Sequence, residues 1–518
     1  MAEPGQMRSV GAAVLPTADE GPARARSSRP FLPWLLMTAF GIGTLLAVLA
    51  GRTAPLKLGY PVGALAIGVV LFRYYPALYL GFLCWLWFLS PLVRRLIDYR
   101  LGYDSLNPVL AAPVLVTALS LLSLIRHLPK LGRSGLAPLV LPIVSLVYAY
   151  PLGIFNTGLS AATYSLLLWL TPIALGFHLA VDVGRYWQYQ ATIRRVFVWG
   201  ALILGLYGVW QFIDPAQWDR YWMASSGMVS IGQPLPYEVR VFGTLNSPTP
   251  FAMVMLAGLM MLLDRRASVH VAVGVPAYLA FLLSLVRTAW AGWVVGVGVY
   301  ATYLPARRRL RLLIVLGAVA LALALLASSR IEQGIERRFR SFSNLSEDRS
   351  LAARQESAAA VLGMIVEEPW GRGLGATGSA KRLATAGQET FDNGFLNVFL
   401  SLGWFGGVLY LTGTVFILLG LVRRFEPRTD PLPKAARALG IATFAALSSL
   451  NTLASVTGVL FWGFIGLSIS GRMHYSRPVL RGGARRGRRS HPARDGLAGW
   501  VPISQPHFLK GKDRRSRG

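Results

Sequence analysis

The chain has 518 residues, 54% of them apolar, with a mean hydropathy of +0.48 and a formal net charge of +29. A water-soluble domain does not carry this much apolar sequence, so composition points to a bilayer as solvent. The basic surplus, 52 Lys and Arg against 23 Asp and Glu, suits cytoplasmic loops held beside anionic lipid rather than a nucleic-acid partner.

In chain order, residues 1–30 are rich in Pro, Gly, Ser and Arg and have no early apolar core. They are expected to form a disordered cytoplasmic tail, and the first apolar run, from Phe31, reads as a retained helix. Helices are predicted near 31–50, 56–72, 76–93, 109–125, 136–154, 163–180 and 196–213. The pattern resumes near 250–263, 269–286, 288–304, 310–327, 393–421, 436–453 and 456–470. Cys84 is the only cysteine and lies inside an apolar run, which rules out an intrachain disulfide. The expected fold is all-α: a polytopic integral membrane protein with about 12–14 transmembrane helices.

Loop charge orients the spans. The basic connections Arg126–Arg133, Arg185–Arg195, Arg265–Arg266, Arg307–Arg311 and Arg423–Arg424 all follow even-numbered spans. The positive-inside bias makes that side cytoplasmic, with both termini on it. Residues 471–518 carry 13 basic residues against 2 acidic and are expected to lie disordered against anionic headgroups. The organisation expected is a transmembrane region over 31–327, a large periplasmic loop over 328–391 and C-terminal spans over 392–470. A smaller periplasmic loop covers 214–250. Within the large loop, Ser350 to Glu368 reads as a helix with Leu351, Ala358, Val361, Leu362 and Ile365 roughly on one face. Pro369 ends it, and the glycine-rich turn Trp370–Gly375 follows.

The polar chemistry clusters on the outer face. One apolar helix follows Arg240 and the run to Asn246-Ser-Pro-Thr-Pro250, where Asn246, Ser247 or Thr249 can cap it. Another follows Arg287-Thr288, and a third follows Asp392-Asn393-Gly394. Helix starts present free N–H groups to anions, and arginine adds a charged fork for phosphate oxygens. Such starts serve either as ordinary caps or as parts of an anion site. Arg287, a charge between two apolar runs, has a functional reading and an interfacial one. Asp392 can act as a general base or as a helix cap. The outer face has no histidine, and the chain has no HExxH, Walker A loop or DxD-like pair there, so a metal site is not expected.

Four blocks together resemble the O-antigen ligase/polymerase family of bacterial envelope glycosyltransferases. They are Arg240-Val-Phe-Gly-Thr-Leu-Asn-Ser-Pro-Thr-Pro-Phe-Ala252, Leu282-Leu-Ser-Leu-Val-Arg287-Thr-Ala-Trp-Ala-Gly292, Arg354 with Glu367-Glu-Pro-Trp-Gly-Arg-Gly-Leu-Gly375, and Asp392-Asn393-Gly394 running to Gly403-Trp-Phe-Gly406. The resemblance covers about Val196 to Tyr410. It implies a GT-C-like fold and an inverting, metal-independent transfer of a glycan from undecaprenyl pyrophosphate at the periplasmic face of the inner membrane. No cofactor is implied. The catalytic set it implies is Asp392, Arg240, Arg287 and Arg354, with Thr244, Asn246, Arg372, Gly373, Gly375 and Asn393 binding substrate. The implied partners are the lipid-linked oligosaccharide, membrane lipids, a flippase and a chain-length regulator. The family's ligases carry His where this chain has Asp392, so the resemblance favours a polymerase over a ligase passing glycan to lipid A core. A transporter or flippase is the alternative from another class. It would show repeat symmetry and charges near the middle of its spans, whereas this chain shows no sequence repeat, its spans hold few charges and its polar residues cluster at one face, which disfavours transport.

Overall fold

A computed structural model describes residues 31–131, 136–263, 267–326, 359–383, 393–423 and 430–476. Helices account for nearly all of the regular structure there, because lipid offers no partner to an unbonded backbone group. The first half contains α1 (Phe31–Leu49), α2 (Leu56–Tyr74), α3 (Pro76–Leu101), α4 (Ala111–Ala118), α5 (Leu121–Leu131), α6 (Val140–Thr157), α7 (Leu159–Val181) and α8 (Tyr186–Ile213). A short helix, α9 (Gln217–Ser225), precedes α10 (Pro248–Leu262), α11 (Ala267–Leu283), α12 (Arg287–Thr302) and α13 (Ala306–Leu326). The C-terminal group is α14 (Gly394–Arg423), α15 (Leu432–Ala445) and α16 (Ser455–Ser476). Among the described residues nine helices are long and apolar enough to cross a membrane, with shorter apolar helices at Pro248–Leu262 and Val271–Leu283. The molecule is an all-α, multi-pass membrane protein.

Small residues set the closest helix contacts, as expected where lipid removes the hydrophobic drive between helices. α7 packs along α16, and a Cβ added at Gly466 would come within 2.0 Å of the Gly176 carbonyl oxygen. α6 packs along α14 in the same way: Ser145 Oγ donates to the Gly406 carbonyl at 2.6 Å, and Gly413 rests on Pro142. We call the end of the bundle carrying loop 214–247 the loop end, and the opposite end, with Arg194, Arg195 and Arg309, the basic end.

Several predicted elements differ from those observed. The single helix expected over 109–125 is two, α4 and α5, separated at Leu119–Ser120. α3 continues to Leu101, past its expected end at 93, and carries Arg94, Arg95 and Asp98 within the helix. α8 begins at Tyr186, so Arg194 and Arg195 are helical rather than part of a connection. Long basic side chains on a lipid-facing helix reach the interface, which is how charge enters a span without breaking it. The helix expected over 436–453 is α15, over Leu432–Ala445, followed by a 3₁₀ turn at Ala446–Ser448. In the segment 350–368, residues 359–367 are helical and 350–358 lie outside the described residues. Both tails and most of 328–391 also lie outside them.

Sidedness is read from loop charge, and reporter fusions test it directly. Fusions after Arg266 and Arg424 are expected to report the cytoplasm, and fusions within 328–391 the periplasm. A cytoplasmic report from the long segment would overturn the orientation read from loop charge.

Candidate functional site

Loop 240–247 and the turn between α11 and α12 are built against each other. α11 ends at Leu283 and α12 begins at Arg287, and Leu285 takes a positive φ of 54° to make the reversal. Carbonyls at and just beyond such a helix end need donors from elsewhere. Arg240 supplies two of them, through Nε to the Ser284 oxygen at 3.4 Å and Nη2 to the Leu285 oxygen at 3.2 Å. Its Nη1 donates to the Ser230 oxygen at 2.8 Å, and the Val241 amide donates to the Leu283 oxygen at 3.1 Å. Arg240 is therefore tied into the turn that opens α12. Arg287 is the first residue of α12 and is half-buried.

Neither α10 nor α12 has a side-chain cap. Ser247 at the start of α10 and Val286 at the start of α12 make no side-chain cap bond, although the sequence offers Asn246, Ser247 and Thr249 for the first. Asn246 Oδ1 is buried and has no hydrogen-bond partner among the described residues. The two helices pack together, so their uncapped starts lie on adjacent elements. Thr244 is committed to the scaffold: its hydroxyl donates to the Phe88 oxygen of α3 at 2.6 Å.

Beneath this loop lies a buried polar network that sequence reasoning missed. Arg95 of α3 and Asp219 of α9, both fully buried, form an ion pair. Arg95 Nη2 also donates to the Gly243 oxygen at 2.6 Å, inside the 240–247 loop. Asp219 accepts from Gln211 Nε2 at 2.7 Å and from the Tyr207 hydroxyl at 2.9 Å. Gln211 Oε1 in turn accepts from the Phe242 and Gly243 amides at 3.0 and 2.9 Å. Burial pushes the Asp219 carboxyl above its ordinary range, against the pull of Arg95, Gln211 and Tyr207. The Phe242 ring stacks over the Arg95 guanidinium at 4.9 Å. The loop that presents Arg240 thus stands on three helices joined by charge.

The second group of predicted residues sits on α6 and α14. The run Trp370–Gly375 threads between them, with the Leu374 amide donating to the Ala149 oxygen at 3.2 Å and the Arg372 amide to the Leu400 oxygen at 2.9 Å. Gly373 has φ 80°, and a Cβ there would meet the Gly153 amide nitrogen at 2.1 Å. Gly375, with φ 97°, lies on Thr157 and Ala161, where a Cβ would come within 2.5 Å of the Thr157 hydroxyl and 2.9 Å of the Ala161 backbone. These glycines are buried where backbone meets backbone, so the close approach alone accounts for them. Arg372 forks onto Glu368 at 2.7 and 3.0 Å, which holds the Glu368 carboxyl below its usual range. The pair is partly exposed, and its small contribution is present above the ordinary carboxylate pKa and fades as pH falls. α14 breaks at Gly403, φ 68°, where the Trp404 amide donates to the Pro369 oxygen at 2.9 Å.

Asn393 caps α14: its Oδ1 accepts from the Phe395 and Leu396 amides at 2.9 and 3.2 Å. One and two turns on, Asn397 and Ser401 continue a buried polar line. Ser401 meets the Thr377 hydroxyl at 3.0 Å, and Asn397 Oδ1 accepts from Asn451 at 3.1 Å. The i, i+4, i+8 spacing of Asn393, Asn397 and Ser401 was the sequence signal for this line. The two groups meet indirectly, since α12 and α14 both pack against the turn Ala446–Ser448. Asp392 and Arg354 lie outside the described residues. Among the described residues no group of three or more His, Cys, Asp or Glu is placed to hold a metal ion.

Residues 271–411 match a family model described as O-antigen ligase. The match takes in the α11–α12 turn with Arg287, the Trp370–Gly375 run and the Gly403 break, and leaves the Arg240 block outside it. No curated protein matches the chain. The chain is thus a multi-pass membrane protein whose residues 271–411 are similar to the O-antigen ligase family.

Proposed function

We propose that the protein is a polysaccharide polymerase of O-antigen or exopolysaccharide type. It transfers a glycan from undecaprenyl pyrophosphate to a second lipid-linked glycan at the outer face of the inner membrane, with inversion and without a metal. The observation that carries this reading is the start of α14. Asn393 fills the cap there. Asp392, which stands where ligases carry His, is then left for chemistry rather than capping. A carboxylate at that point takes the proton from the acceptor hydroxyl as it attacks the anomeric carbon. The leaving group is the lipid pyrophosphate. Arg287, at an uncapped helix start, and Arg354 in the long loop hold its oxygens, and charge-assisted bonds of this kind strengthen as negative charge builds. Arg240 acts differently: it fixes the turn from which Arg287 projects. A flippase that delivers the donor and a chain-length regulator are the partners such a reaction calls for.

The test is a polymer assay in membranes. Arg287→Ala and Arg354→Ala are each expected to leave protein levels unchanged and to cut polymer formation by about 10²–10³-fold. Lysine at either position should restore only part, because it lacks the planar fork. Full activity in both alanine variants would remove the pyrophosphate site. The family description itself favours a second reading, a ligase acting on lipid A core. That reading predicts that a null strain accumulates long lipid-linked polymer, whereas the polymerase reading predicts single repeat units.

A further inference from the structure

At the basic end, one face of α8 carries a cavity of about 470 Å³ lined by Trp187, Gln190, Arg194, Arg195, Val198 and Trp199 among others. Their spacing puts them on a single helix face. That face is not covered by protein: Trp187 is 51% exposed and Trp199 55%. Arg195 is exposed and makes no ion pair with any described residue. Gln190 is held from behind, its Nε2 donating to Asp430 Oδ1 at 2.8 Å. Trp187 is fixed by a 3.0 Å bond from its indole N–H to His474 Nε2.

Depth decides what fits here. From Val196 to Ile213, α8 rises about 27 Å at roughly 1.5 Å per residue, close to the roughly 30 Å of a hydrocarbon core. Beyond Ile213 the chain turns polar at once, with Asp214 paired to Arg220 at 2.6 Å. Arg194 and Arg195 therefore stand at the level of lipid phosphates. Trp199 lies one turn deeper, where indoles favour the glycerol region, and Trp187 lies two turns further out. Two guanidinium groups between two exposed indoles match a phosphate with acyl chains running down from it.

We propose that this face of α8 is a binding site for the headgroup of an anionic phospholipid. The lipid phosphate sits between Arg194 and Arg195, and its acyl chains lie along Val198 and Trp199. The proposal is independent of the transferase chemistry, which lies at the other end of the bundle.

The experiment uses the full chain purified in detergent and exchanged into mixed micelles of phosphatidylcholine with phosphatidylglycerol. Lipid retained after gel filtration is counted by mass spectrometry. The wild type is expected to retain phosphatidylglycerol over phosphatidylcholine. Arg194→Gln/Arg195→Gln should lower that affinity roughly fivefold per arginine, at about 1 kcal/mol for each basic residue near the surface. Arg194→Lys/Arg195→Lys should keep most of it, and Trp199→Ala should weaken it without changing headgroup preference. Melting temperature in phosphatidylcholine alone, unchanged among the variants, shows that the fold is intact. Equal retention of phosphatidylglycerol by the wild type and the glutamine pair would overturn the proposal. So would displacement of the lipid by millimolar inorganic phosphate, which would make the site one for a free anion.

Discussion

Asp392→Asn is expected to abolish polymer while leaving the amount of protein in the membrane unchanged. Removing a general base costs about 10²–10⁴ in rate, and asparagine keeps the shape while losing the proton acceptor. The helix should not suffer, because Asn393 supplies the cap of α14 through bonds to two amides. Single lipid-linked repeats should accumulate in place of chains. Asp392→His is the informative companion, since it keeps a base and restores the residue found in ligases. Partial activity from His with none from Asn is the pattern of a base. Ordinary polymer from Asp392→Asn would free Asp392 of any chemical role and send the search for a base to Glu389 or elsewhere in the long loop.

The second large effect is on stability. Arg95→Leu should destabilise the protein by about 3–5 kcal/mol, because it strands the Asp219 charge in a buried site. Asp219→Leu should cost a similar amount by stranding Arg95. The double change Arg95→Leu/Asp219→Leu is expected to recover part of the loss, because it removes both buried charges, while the Gly243 carbonyl, Gln211 and Tyr207 lose their partners and keep the rest of the cost. Thermal melting of the four proteins in one detergent measures this as a double-mutant cycle. Additive losses in the double variant would show that the pair does not act as a unit. Because Arg95 and Gln211 also hold the Gly243 backbone, any surviving Arg95→Leu protein should have a loosened 240–247 loop and low activity.

The extent of the membrane region was legible in the residues alone. Long apolar runs have only one way to satisfy their backbone in lipid, so α1, α2, α6, α7, α10 and α16 appear close to where periodicity and length put them. Local signals also read correctly where the physics is local. Asn393 before Gly394 marks a helix start because a short side chain caps its own next turn. Arg194 and Arg195 misled, because charge in a span looks like a loop until the helix face it occupies is known. The Trp370–Gly375 glycines read as a turn in the sequence, and only the packing on Gly153 and Gly403 shows where the backbone passes.

What the sequence by itself determined is the class of molecule, the face of the bundle where polar chemistry collects and the candidate residues Arg240, Arg287, Arg354 and Asp392. What the tertiary structure decided is which of the described ones are held, and by what. Arg240 is bonded to the α11–α12 turn 44 and 45 positions away, and Arg95 meets Asp219 across 124. Pairings at such separations leave no periodicity in the chain. They exist because buried charge and orphan carbonyls must find partners wherever the packing of helices brings them within reach.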